Sequence, residues 1–137
     1  VERDKQAAAL KKKLPLLVKL APDLDDAELD QALGVIQSAG MDGVIIGNTT
    51  VRREGLSSVK AGEEGGLSGR PLNELNTAMV LKVHQRTNGR LPIVASGGVM
   101  GVDDYQRKMD AGAVLVQLYT GLIYKGPGLA ARILNHI

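Results

Sequence analysis

LPIVASGG at 91–98 and AVLVQLYTG at 113–121 share one layout: an apolar run, a turn carrying glycine, and a helical pattern after it. Each run reads as a buried strand, so the chain ends strand, glycine turn, helix, twice over. In a βα barrel such turns bring the backbone N–H groups of the last two βα loops to one rim, the usual seat of a phosphate monoester. Two separate loops must converge to form that cradle, and either alone is a weak signal.

Towards the N-terminus, residues 4–13 have helical composition and lead into LPLLVKL at 14–20. The unbroken apolar character of that run fits a parallel sheet covered on both faces, and Pro15 marks roughly where the strand begins. Asp25 and Glu28 form a capping box. Leu29, Ala32, Leu33 and Ile36 then make one apolar stripe, and Gly40 supplies a stop. GVIIG at 43–47 is the next strand. Residues 51–69 are polar, glycine-rich and without period, too long for a connector, and read as an active-site loop or lid. Pro71 opens a helix with Leu75, Met79 and Val83 on one face, closed by Asn88-Gly89. A further helix covers 102–110 and a last one starts near Pro127.

Four βα units imply a parallel sheet with right-handed crossovers. An open doubly wound domain is complete at this size, whereas a barrel needs eight units and about 250 residues. Against the open sheet, the first βα turn has no GxGxxG. Polar or glycine residues also end all four strands: Lys19, Asn48, Gly97-Gly98 and Tyr119-Thr120. Chemistry repeated at strand ends suits a barrel rim.

Composition narrows the classes. With 137 residues, 44% hydrophobic and 23% charged, the chain supports one core and is too short for two domains. A net charge of +2 and an aromatic share of 2% argue against nucleic-acid binding. Lys11-Lys12-Lys13 reads as a solvated helix end. The absence of cysteine excludes disulfides, thiolate chemistry and cysteine metal sites, and two histidines, His84 and His136, make a histidine metal site a poor reading. No metal is expected. No apolar run approaches the ~20 residues of a membrane span, and Val1-Glu-Arg-Asp is no signal peptide, so a soluble chain is expected.

Each candidate site residue has two readings. Lys19 either reaches into a rim pocket to stabilise an anionic ring or substrate, or snorkels to solvent. Asn48-Thr49-Thr50 either fixes a polar heterocycle by paired donors and acceptors or is turn chemistry. GGLSGRP at 65–71 either lets backbone approach a ligand or leads into the Pro71 helix.

Five segments carry a resemblance. VKLAPDLDDAEL at 18–29, DGVIIGNTT at 42–50, GGLSGRPL at 65–72, RLPIVASGGV at 90–99 and GAVLVQLYTGLIYKGPGL at 112–129 resemble, in order and spacing, dihydroorotate dehydrogenase of the membrane-associated, quinone-using class. GLSGRP together with YTGLIYKGPGL is closer to this class than to the soluble ones. The resemblance covers nearly everything after residue 14. It implies the (β/α)8 TIM-barrel fold, binding FMN at its C-terminal rim, with residues 1–137 as the C-terminal half, strands five to eight.

The resemblance also implies roles. Lys19 lies near the pyrimidine edge of the flavin, and Asn48 and Thr49 bind orotate. Gly69, Gly98, Tyr119 and Thr120 hold the ribityl phosphate, mainly through backbone N–H. Position 47 is usually a serine or threonine touching FMN, and this chain has Gly47; IVASGG replaces the commoner IIGVGG with both glycines kept. The serine base, further orotate-pocket residues and the quinone-admitting helices have no counterpart in 1–137, so no catalytic residue is assigned. The parent protein is expected to oxidise dihydroorotate to orotate with quinone as acceptor, in UMP biosynthesis, at a bacterial or mitochondrial inner membrane. This chain alone is expected to be inactive and to associate with its missing half or with itself. Two alternatives stand: a non-catalytic half-barrel, or half of another phosphate-binding βα barrel such as a sugar-phosphate isomerase, which has no need of Lys19 or Asn48-Thr49.

Overall fold

The computed structural model describes residues 2–10 and 14–136; the lysine run at 11–13 lies outside the described residues. In the described residues six helices and four strands follow in the order α1 (Glu2–Leu10), β1 (Leu17–Leu20), α2 (Asp26–Ser38), β2 (Gly43–Ile46), α3 (Leu72–Arg86), β3 (Ile93–Ser96), α4 (Val102–Asp110), β4 (Leu115–Gln117), α5 (Thr120–Lys125) and α6 (Leu129–Leu134). The capping box forms as expected, with the Asp25 N–H donating to Glu28 Oε2 at 2.9 Å and the Glu28 N–H to Asp25 Oδ1 at 2.8 Å.

All strand pairings are parallel and the order is β1-β2-β3-β4. That order decides between the two architectures. A doubly wound sheet reverses direction at a switch point, whereas consecutive strands laid in sequence are an arc of a barrel. Strand alternation sends Val18, Leu20, Val44, Ile46, Ile93, Ala95 and Val116 to the face carrying the helices, where they pack with Leu29, Leu33, Ile36, Met79, Val80 and Val83.

The opposite face corrects an expectation. It is only partly covered: Val94 is buried and Ile45 half-buried, but Leu115 is 63% exposed, and Lys19 and Gln117 are also exposed. The strands are shorter than the apolar runs. Pro15 and Pro92 lack the N–H of a ladder residue, and β1 starts at Leu17, where 14–20 was expected. At 91–95 and 113–118 the paired stretches are Ile93–Ser96 and Leu115–Gln117. A short helix, α5, also stands between β4 and the expected final helix, which begins at Leu129. Pro71 sits one residue ahead of α3 with φ −57, ready for the helical turn.

Residues 51–69 contain turns and bends and no regular element. The segment is tied at its base by an antiparallel bridge between Thr50 and Leu67. Asp23 accepts from Thr50 Oγ1 at 2.5 Å and from the Val51 N–H at 3.2 Å, and Arg53 donates to the Gly65 carbonyl.

Candidate functional site

A cleft of about 240 Å³ opens at the C-terminal ends of the strands. Its lining includes all eight residues singled out in the sequence: Lys19 from β1, Gly47, Asn48 and Thr49 after β2, Gly69 from the long loop, Gly98 after β3, and Tyr119 and Thr120 at the end of β4 and start of α5. Residues up to about a hundred positions apart meet because a parallel βα chain returns every strand end to the same rim.

Glycine is required by close approach at the β3 turn. Gly97 and Gly98 have φ 86 and 76, in the left-handed region, and a Cβ on Gly98 would lie 2.5 Å from Asn73 Cα. The turn is held from behind by the first turns of α3: Asn73 Nδ2 donates to the Gly98 carbonyl at 2.9 Å and Asn76 Nδ2 to the Ser96 carbonyl at 3.0 Å. On the facing side Gly69 has φ 85, and a Cβ there would lie 3.1 Å from Thr120 Cγ2, while Thr120 Oγ1 donates to Ser68 Oγ at 3.1 Å. Gly66 packs against Thr49, where a Cβ would come within 3.0 Å of Thr49 Cγ2. The end of the long loop therefore touches the cleft wall.

Lys19 is the only charged side chain lining the cleft among the described residues; the rest are backbone, amide, hydroxyl and apolar groups. Such a surface suits an anion or a polar ring. It offers no carboxylate or imidazole to carry a proton near neutral pH. No group of three or more His, Cys, Asp or Glu placed to hold a metal exists among the described residues.

The dihydroorotate dehydrogenase family model matches residues 3–137. The chain belongs to the dihydroorotate dehydrogenase family. It is 49% identical over 129 residues to the dihydroorotate dehydrogenase (quinone) of Dichelobacter nodosus, covering 93% of this chain and 38% of that protein. With the enzyme of the same name from Parvibaculum lavamentivorans, identity is 51%, covering 92% of this chain and 36% of the relative. Among solved structures, a ligand-free DHODH from Eimeria tenella superposes with TM-score 0.85 at 44% identity, over 90% of this chain and 35% of that one. The ferulenol complex of the Eimeria tenella protein gives 0.87 at 43%, over 90% and 33%. These neighbours have the TIM-barrel fold, and the four-stranded arc corresponds to part of it. The chain thus spans little more than a third of the length of the dihydroorotate dehydrogenases it matches.

Sequence reading missed Gln117 in the lining and two asparagines beneath it. Ser68, Ser96 and Gly97, from the motifs already read, line the cleft as well, and Gln117 of β4 joins them without having been singled out. Beneath it are Asn73 and Asn76, both fully buried or nearly so. Their signal was phase: 73 and 76 fall in the stripe of Leu72, Met79, Val80 and Val83, so polar residues on the buried face of α3 mark a built feature. Behind Asn73, Thr77 Oγ1 donates to its carbonyl at 2.7 Å and receives a hydrogen bond from Lys108 Nζ at 3.1 Å. Burial lowers the Lys108 ammonium to about 8.

Proposed function

We propose that this chain is the C-terminal half, strands five to eight, of an FMN-binding barrel that oxidises dihydroorotate to orotate and passes the electrons to quinone. The observation that carries the reading is the meeting of all eight residues in one cleft within a chain of this family. Two glycine segments from different loops frame that cleft, as a phosphate requires. The residues fit FMN: close-packed glycine turns expose backbone to the ligand, and Lys19 supplies positive charge where a reduced flavin ring is anionic.

In this reading Gly69, Gly98, Tyr119 and Thr120 hold the ribityl phosphate, and Lys19 stands beside the pyrimidine edge of the ring. Asn48 and Thr49, both exposed at the cleft mouth, orient orotate through amide and hydroxyl groups. Bound FMN would accept hydride from C6 of dihydroorotate. The proton at C5 needs a base, and the cleft holds no group suited to it, so the base is assigned to the part of the barrel beyond these residues. The quinone entrance and the attachment to an inner membrane are assigned to that part as well, as the family resemblance implies; no helix among the described residues is long and apolar enough to cross a membrane.

The isolated chain should bind FMN weakly, because the cleft walls are open and desolvation of the ligand is incomplete. Titration of FMN fluorescence should show millimolar-range saturation, lost in Gly98→Leu, where any side chain meets the Asn73 backbone. The full-length protein should bind FMN tightly and reduce quinone with dihydroorotate. A full-length protein that binds no flavin would overturn the proposal.

A further inference from the structure

Position 47, where the family resemblance implies a hydroxyl touching the flavin, is glycine in this chain. Another side chain fills the gap. A Cβ built on Gly47 would lie 2.5 Å from both Cγ and Oδ1 of Asn76, and one on Gly97 would run into Asn76 Nδ2. Asn76 comes from the second turn of α3, is fully buried, and holds the Ser96 carbonyl at 3.0 Å. Its carboxamide is therefore wedged between two glycines at the ends of β2 and β3, both of which line the cleft.

Local energetics do not account for this residue. Asparagine is a mediocre helix former, and Asn76 Oδ1 is buried with no partner among the described residues, which costs stability. An aliphatic side chain would satisfy the core better. What the carboxamide provides is geometry. It sets the separation of the two strand ends and anchors one carbonyl of the β3 turn. Because a trans peptide carries its C=O and N–H on opposite sides, holding the Ser96 carbonyl towards α3 turns the Gly97 N–H away from the helix. Asn73 does the same one turn earlier for Gly98, turning the Val99 N–H away.

We propose that Asn76 is a positioning residue of the cleft and that Gly47 and Asn76 form one coupled unit, the amide from α3 replacing the side chain missing at position 47 and presetting the β3 turn. The ligand named in the test rests on the flavin reading above; the coupling itself does not.

A double-mutant cycle in the full-length protein tests it, with Gly47→Thr, Asn76→Ser and the pair, reading FMN affinity, the visible absorption of the flavin-saturated protein, and the apoprotein Tm. Gly47→Thr alone should weaken FMN by about tenfold or more and lower Tm, since the new side chain collides with the amide. Asn76→Ser alone should weaken FMN severalfold and shift the flavin band, a change that loss of stability by itself does not produce. The pair should return affinity to within about threefold of the parent, restore the band and recover Tm. If Gly47→Thr does not fold, Gly47→Ala in Asn76→Ala background gives the same cycle with smaller groups. Additive losses in both affinity and Tm, or Gly47→Thr binding FMN as tightly as the parent, would overturn the coupling. If the parent itself binds no FMN, the flavin reading fails, while the Tm cycle still decides for or against the Gly47–Asn76 unit.

Discussion

At Lys108 charge and burial oppose each other. The side chain is fully buried against α3, and its ammonium donates to Thr77 Oγ1 at 3.1 Å. Desolvation, only partly offset by Asp104 and Glu74, lowers its pKa from 10.5 to about 8. Below the folded pKa the group is charged in both states and folding bears the desolvation cost. As pH rises from about 8 to 10.5 the folded state loses its proton first, so the unfolded state holds more protons and stability increases. Lys108→Met should accordingly be more stable than the parent at pH 7, by something on the order of 2 kcal/mol, and that lead should shrink by pH 10. Urea midpoints at the two pH values check it; a lead that does not change with pH would mean that Lys108 is not the titrating group. The same scale shows what composition conceals. Lys108, Asn73 and Asn76 are polar letters that belong to the outside in any hydropathy reading, and only the packing of α3 against β3 and α4 reveals that they are inside.

Single elements were more legible. The limits expected for the helix at 102–110 match α4, and the start of α2 is specified by two side chains that satisfy each other's backbone donors. Both Asp25 and Glu28 are exposed, so Asp25→Ala removes a cap without opening a cavity and should cost about 1 kcal/mol. A thermal melt should register this as a drop of about 3–5 °C for a chain of this length. No drop at all would show that α2 is held by its buried face alone. Strand limits were harder to read, since an apolar run continues past the last ladder bond. Leu91 is buried and Leu118 half-buried, yet neither belongs to a strand; pairing depends on the neighbour's backbone, which the run itself does not encode. Helix α5 has six residues and includes Gly121, too short to display a period.

For the molecule as a whole, β1 and β4 each pair on one side only, and the sheet face opposite the helices carries Leu115 at 63% exposure. Unpaired ladder groups beside apolar side chains recruit other chains. The isolated chain should dimerise, pair with an added N-terminal half or aggregate; sedimentation velocity over a range of concentrations gives the answer, and a stable monomer with full amide protection in both edge strands would contradict the half-barrel reading. The sequence alone determined the four βα units, the parallel sheet, the rim position of the polar residues and, through five motifs, the family, because these depend on local periodicity, turn chemistry and residue identity. Strand order, the partly open face and the fit of Asn76 between Gly47 and Gly97 were decided only by tertiary structure, because each depends on which distant backbones lie side by side, and at those contacts the space left for a Cβ selects the residue.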